Sequence, residues 1–202
     1  MSKIVRKTFA ENVALKLEEL GRTFRSDTQR TTYCRAIVSD LFQIMFDRLC
    51  DGERVRIRGM GLLRVLEKSE RPGRNPKDPD QNIMIPARRS VSFTKTSVLS
   101  RQAEESTDSR ESAITPLMIE VLERDYGIRE KNARLVISAF WEPFQWLRSD
   151  RWIEVRGFGR FKMVEVPKKV RNPRSGESLG VKKVAFISFK MSEAMDKKLN
   201  RW

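Results

Sequence analysis

Two short segments rich in arginine, asparagine and proline, Arg71-Pro72-Gly73-Arg74-Asn75-Pro76 and Arg171-Asn172-Pro173, stand about 97 residues apart. Each follows a Gly-x-Gly turn, Gly59-Met60-Gly61 in one case and Gly157-Phe158-Gly159 in the other. A guanidinium neutralises phosphate, and a proline on a basic segment flanked by strands can wedge between base steps in a DNA minor groove. The recurrence of that chemistry in the same surroundings marks an internal duplication. The expected outcome is two wedges on one chain.

Other chemistries find little support. The 202 residues include no histidine and only two cysteines, Cys34 and Cys50. A disulfide framework, the usual zinc sites and every Ser-His or Cys-His pairing are therefore excluded. There is no P-loop, paired-carboxylate metal motif or nucleophile elbow. The reading is a non-enzymatic protein without metal or cofactor, its two cysteines reduced on a helix.

Lysine and arginine number 41 against 27 acidic residues, for a net charge of +14 and an isoelectric point near 10.2. Each cation placed on a phosphate releases counterions, so this balance favours a polyanionic partner. No run approaches the roughly 18 apolar residues of a spanning helix, and the first residues lack a signal-like apolar stretch. The expectation is a cytoplasmic protein with no membrane partner.

The elements that must hold the two segments follow in the same order twice. Phe9, Val13, Leu17 and Leu20 recur at helical spacing up to Gly21. Ser26 with Gln29 has the pattern of a capping box, opening a longer helix whose apolar face carries Tyr33, Ile37, Leu41, Ile44, Met45 and Leu49 before Asp51-Gly52. Val55 and Ile57 alternate with arginines and, with Leu63 and Val65 beyond the turn, predict a hairpin. The polar stretch 67–82, with Pro72, Pro76 and Pro79, reads as a two-stranded projecting arm. Ile83 to Phe93 predicts a return strand, and Thr96 to Glu105 a short closing helix.

In the second half, Thr115 and Pro116 read as an N-cap and first-turn pair for a helix ending near Gly127. A second helix carries Val136, Phe140, Phe144 and Leu147 on one face, with Pro143 inside it expected to produce a kink. Trp152, Ile153 and Val155 enter the hairpin, Phe161 to Val166 climbs to Pro167, the arm reaches about Lys182, and Val184 to Phe189 returns. Met191 to Leu199 closes the repeat. Trp141, Trp146 and Trp152 fall on helix and strand patterns, which assigns them to core or interface and not to base stacking. The expected division is repeat 1 over 1–102, a solvated tether over 103–112, and repeat 2 over 113–202. Each half alone offers a thin core, so mutual burial of the two is expected.

This order, doubled around Gly-x-Gly and Arg-Asn-Pro, resembles the bacterial HU and integration host factor family of DNA-bending proteins. Members are intertwined dimers, so the resemblance implies an α+β fold of two tandem repeats forming an intramolecular pseudo-dimer. The first half, with Arg71 to Lys77 and Ala87-Arg88-Arg89, is similar to an alpha subunit. The second, with Glu154 to Gly159, is similar to a beta subunit. By that resemblance Pro76 and Pro173 are the intercalating wedges. Arg71, Arg74, Asn75, Lys77, Arg171, Asn172 and Arg174 belong to the minor-groove arms. The saddle set is Arg56, Arg58, Arg64, Arg88, Arg89, Arg156, Arg160, Lys162, Lys168, Lys169, Lys182 and Lys183, and Glu154 with Arg156 stands at a base-discriminating position. Departures from the family pattern include the basic Arg56 and Arg58, Val170 in place of a glycine, and Arg129 in place of a capping serine. The implied partner is double-stranded DNA, bent by a monomer that acts as a pseudo-dimer associated with the nucleoid. The alpha-like and beta-like signatures imply some site selectivity of the integration-host-factor kind; sequence-tolerant compaction of the HU kind, a general RNA-binding or chaperone role and a protein-binding scaffold are the alternatives.

Overall fold

Helices form where apolar residues recur every three or four positions. The computed structural model describes residues 2–58, 60–75, 78–95, 114–171 and 178–200. After a short strand β1 (Ser2–Val5), helix α1 (Arg6–Glu19) buries Phe9, Ala10, Val13, Ala14 and Leu17 on one face. Gly21, at φ +84°, ends it, with the Arg22 N–H donating back to the Leu17 carbonyl at 2.9 Å. Helix α2 (Asp27–Cys50) starts at Ser26, whose hydroxyl accepts from the Gln29 N–H. The Gln29 side chain accepts from the Arg25 N–H, at 2.7 Å, so the expected box closes one residue early.

The first repeat continues through β2 (Val55–Ile57), β3 (Gly61–Lys68), β4 (Arg71–Asn75), β5 (Asp78–Ile85) and β6 (Arg88–Lys95). The second has α3 (Ile114–Tyr126), α4 (Glu130–Gln145), β7 (Arg151–Val155), β8 (Gly159–Arg171), β9 (Ser178–Met191) and α5 (Glu193–Leu199). The strands form a sheet β2-β3-β6, a sheet β1-β7-β8-β9, and the separate two-stranded arm β4-β5. Gly59, the expected closing helix of repeat 1 and the tether lie outside the described residues.

Several elements differ from the sequence expectation, each for a local reason. The return strand of the first arm is two strands, because Pro86 between β5 and β6 has no N–H to offer a ladder. Pro167, expected to end its strand, is passed: it pairs with Lys183, and β8 runs on to Arg171. Pairing with β7 stops at Lys162, so beyond that point β8 has one neighbour and the missing N–H can face the open side. Ile114 is already helical, which puts Thr115 in the first turn and not at the cap. Helix α4 continues only two residues past Pro143, leaving Leu147 buried beyond the helix end. Arg129 is the N-cap of α4 and makes no side-chain capping bond. β1 was not anticipated: it pairs in parallel with β7, Ile4 opposite Ile153.

One hydrophobic cluster runs through both repeats. Phe9 packs edge-on to Phe42 at 5.3 Å and to Phe144 at 5.1 Å, Phe42 meets Phe140 at 4.9 Å, and Phe93 meets Phe161 at 5.8 Å. These rings belong to α1, α2 and β6 on one side and α4 and β8 on the other, so neither repeat completes its core alone. Polar ties reinforce the seam. The Tyr33 hydroxyl donates to the Tyr126 carbonyl at 3.1 Å, the Tyr126 hydroxyl donates to Asp40, and Asn200 exchanges two hydrogen bonds with the backbone of Arg89. Trp141 is buried in this cluster, Trp152 is half-buried, and Trp146 reaches the surface at the end of α4.

Candidate nucleic-acid interface

Alternation along a strand sends successive side chains to opposite faces, so register decides which cations share a surface. On β3 and β6, Leu63, Val65, Val91 and Phe93 turn toward the helices and join or pack against the core. The other parity puts Arg64 opposite Ser92, Leu66 opposite Ser90 and Lys68 opposite Arg88 on the outer face. On β2, Arg56 has that outward parity between the buried Val55 and Ile57, and the exposed Arg58 follows the strand.

On the second sheet the outer pairs are Trp152 with Lys162, Glu154 with Arg160, Arg160 with Lys190, Val164 with Phe186, and Val166 with Val184. The two sheets adjoin along β6 and β9, so the outer faces make one continuous surface from which the arms extend. Lys168 pairs with Lys182 and Lys169 with Val181 along the arm, and Arg171 pairs with Ser178.

Charge on this surface is mostly uncompensated. Arg58, Arg64, Lys68, Arg88, Arg156, Lys162 and Lys190 are exposed, as are Arg71 and Arg74 on the first arm. None of these nine makes an ion pair with an acidic side chain among the described residues. A row of exposed cations without counterions raises the local concentration of polyanions.

Three sequence-assigned cations are placed differently. Arg89 has the inward parity of Val91 and Phe93, lies 3.3 Å from the Glu67 carboxylate, and has its backbone held by Asn200. Lys183 is opposite Pro167, on the parity opposite to that of Val184 and Phe186. Arg160 is held by Glu154 at 2.9 Å. Glu154 does not pair with Arg156; it takes Lys3 from β1 at 3.1 Å as well as Arg160. The hydrogen bond from Lys3, followed by the charge of Arg160, holds the Glu154 carboxyl below the usual carboxylate range. Pro76, Lys77, Asn172, Pro173 and Arg174 lie outside the described residues, and Asn75 is placed by its backbone at the end of β4.

Lys3, Lys68 and Lys190 were missed by sequence reasoning. Lys68 and Lys190 share parity with Arg64 and Lys162, a signal available from the alternation itself. Also missed was a chemical asymmetry between the arm bases. Seven residues beyond each Gly-x-Gly turn, the first sheet carries the pair Lys68 and Arg88, whereas the second carries Val166 and Val184, 42% and 40% exposed. Phe186, 44% exposed, continues this apolar strip where the first sheet has Ser90.

The cysteines offer no chemistry at this surface. Burial pushes the Cys34 thiol up to about 11, and Cys50 shifts in the same direction for the same reason. Among the described residues no group of three His, Cys, Asp or Glu could hold a metal ion, and no helix is long and apolar enough to cross a membrane.

The model of the family described as bacterial DNA-binding protein matches residues 5–104 and again residues 116–200. The chain is similar to the probable DNA-binding protein HU of Chlamydia trachomatis, 38% identical over 77 residues, which span 38% of this chain and 77% of that protein. It is similar to integration host factor subunit alpha of Actinobacillus succinogenes, 35% identical over 97 residues, 48% of this chain and 88% of that protein. Among solved structures, the Anabaena HU–DNA cocrystal structure aligns with 48% of this chain and 98% of its own, at 21% identity and a TM-score of 0.33.

Proposed function

The chain belongs to the bacterial DNA-binding protein family of HU and integration host factor, with the family unit present twice, and on that premise we propose that it is an architectural protein that bends duplex DNA. The observation that carries this reading is the continuous outer surface of two adjoining sheets and an arm, lined by nine exposed cations with no acidic partner among the described residues. Phosphates satisfy such cations without sequence information, fixing the duplex across the saddle. The arms then follow the minor groove, and Pro76 and Pro173 each unstack one base step. Unstacking costs a few kcal/mol per step, offset by phosphate contacts that only a bent duplex brings within reach. The protein acts as a monomer whose two repeats, 1–102 and 113–202, form the pseudo-dimer, in the cytoplasm with the nucleoid.

Energy transfer between dyes at the ends of a short duplex tests this. Protein should raise transfer, the rise should weaken with salt, and Pro76→Ala with Pro173→Ala should lose most of the rise while keeping most of the affinity. Saturable binding without a rise in transfer would leave a DNA-coating protein and reject bending. Duplex RNA displacing the protein as readily as DNA would favour a general nucleic-acid chaperone.

Selectivity of the integration-host-factor kind rests on Glu154 and Arg156. The engagement of Glu154 by Lys3 and Arg160 favours the second reading, sequence-tolerant binding of the HU kind, because a base contact by Glu154 must compete with two existing ion pairs. Selection from a random duplex pool separates the two: identical profiles for the parent and Glu154→Ala support tolerance.

A further inference from the structure

A cavity of about 150 Å³ opens between the first turn of α1, the middle of α2, the β7–β8 turn and α5. Its lining includes Arg6, Ser39, Gln43, Phe46, Gly157 and Lys198, and no carboxylate. The bending reading makes no use of it. The half-buried Arg6 guanidinium donates from Nη1 to the Ser39 hydroxyl at 3.0 Å and from Nη2 to the Arg156 carbonyl at 2.8 Å. Both acceptors are neutral, and Arg6 Nε is buried with no acceptor among the described residues. The second cation, Lys198, sits with Nζ 5.1 Å from the centre of the Phe46 ring. Lys198 makes no ion pair among the described residues, whereas its neighbour Lys197 is bonded to Glu193.

Arg6 and Lys198 line this hollow with no carboxylate between them, and partial burial strips water from the Arg6 guanidinium. Burial accordingly lowers the Arg6 pKa, with no acidic neighbour to offset it. Such an arrangement is relieved by an anion.

We propose that this cavity binds a phosphate-class oxyanion, held between the spare guanidinium N–H groups of Arg6 and the ammonium of Lys198. The volume is well below the roughly 300 Å³ at which pockets for drug-sized ligands begin, so it suits a single tetrahedral group and not a nucleotide. The same chemistry is presented by free inorganic phosphate and by a phosphate of a DNA backbone. Because Arg6 also grips the carbonyl of Arg156, an occupied site stiffens the turn that carries Arg156.

The test is a titration with inorganic phosphate at constant ionic strength, replacing chloride, followed by the NMR shifts of the Gly157 amide and the Arg6 Nε–H. Saturable shifts at both positions are expected in the parent. Lys198→Gln, which leaves both Arg6 hydrogen bonds in place, should weaken binding about tenfold, the loss expected for one charge-assisted hydrogen bond. Arg71→Ala with Arg74→Ala and Arg171→Ala should titrate like the parent. No saturable shift at Gly157 and Arg6, or a Lys198→Gln variant that titrates like the parent, overturns the site. Repeating the titration with a long duplex already bound identifies the source. Loss of the phosphate response, with shifts at Gly157 and Arg6 induced by the duplex itself, assigns the group to the DNA backbone; an undiminished response assigns it to free anion. The phosphate titration involves no DNA, so its failure leaves the bending reading standing, and failure of bending leaves the site standing.

Discussion

Replacing Arg64, Lys68 and Arg88 together by glutamine should change how the protein responds to salt more than it changes the fold. The three lie on the outer face of the first sheet, Lys68 directly opposite Arg88 and Arg64 four residues closer to the turn. All are exposed, and none is tied to a carboxylate among the described residues. Each phosphate neutralised contributes about 0.9 to the slope of log affinity against log salt. If each of the three holds one phosphate, the slope should become shallower by about 2.7. Between about 50 and 200 mM salt the parent should therefore lose roughly forty times more affinity than the variant.

Fluorescence anisotropy of a labelled duplex at four salt concentrations measures this directly. A matched variant, Lys131→Gln with Arg134→Gln on α4, where Arg134 is engaged by Glu130 at 2.6 Å, should keep the parent slope. Surface substitutions of this kind change stability by no more than about 0.5 kcal/mol, so both variants should melt close to the parent. A triple variant with the parent slope and the parent affinity would refute the assignment of this face to DNA.

Four further outcomes follow from the packing and the ionisable groups. Phe9→Ala should cost about 3–5 kcal/mol, and all four tryptophans lie in the second repeat, so tryptophan fluorescence and far-UV dichroism should report the same shifted midpoint in urea; separate midpoints would contradict a shared core. Tyr126→Phe should cost about 1 kcal/mol by loss of the bond to Asp40. Burial first, then that bond, raises the Tyr126 phenol pKa; the neutral form is the stabilised one, so the difference in urea midpoint should hold below about pH 10 and shrink as pH rises further. At pH 8 an alkylating agent should modify Cys50 before Cys34, whose thiol ionises only near 11, and peptide mapping should find Cys34 labelled only after unfolding. Lys3→Gln should move the Glu154 carboxyl back up toward its ordinary range, read by NMR titration of that side chain; an unmoved pKa would mean that Arg160 alone sets it.

What the sequence made legible was local or periodic. Three- and four-residue spacing marked α1, α2 and α4, and two-residue alternation marked the hairpins, because those patterns are properties of a single element. β1 is four residues long and exists through its pairing with β7, about 150 positions away in the chain, so no window around Ile4 could reveal it. Pro86 breaks a strand and Pro167 does not, because the outcome depends on which neighbouring strand needs the missing N–H, and a neighbour is a tertiary fact. Arg88 and Arg89 look equivalent as a pair, yet register sends one outward and the other toward Glu67 and Asn200. That last distinction was within reach, since Arg89 shares its parity with Val91 and Phe93. The cavity at Arg6 had no sequence signal, because its walls come from α1, α2, the β7–β8 turn and α5, which only the fold brings together.

The unequal arm bases give the molecule a left and a right. In a pair of identical subunits a twofold axis makes the two ways of laying a duplex across the saddle indistinguishable. Here Lys68 and Arg88 stand at one end of the surface, and Val166, Val184 and Phe186 at the other. With a duplex laid there as proposed, the two polarities of the same DNA site would be different complexes with different energies. Under the proposed bending, a duplex whose ends differ in stiffness or groove width would be held in a preferred sense, and a bend of equal magnitude would acquire an orientation that a neighbouring molecule on the same strand could read.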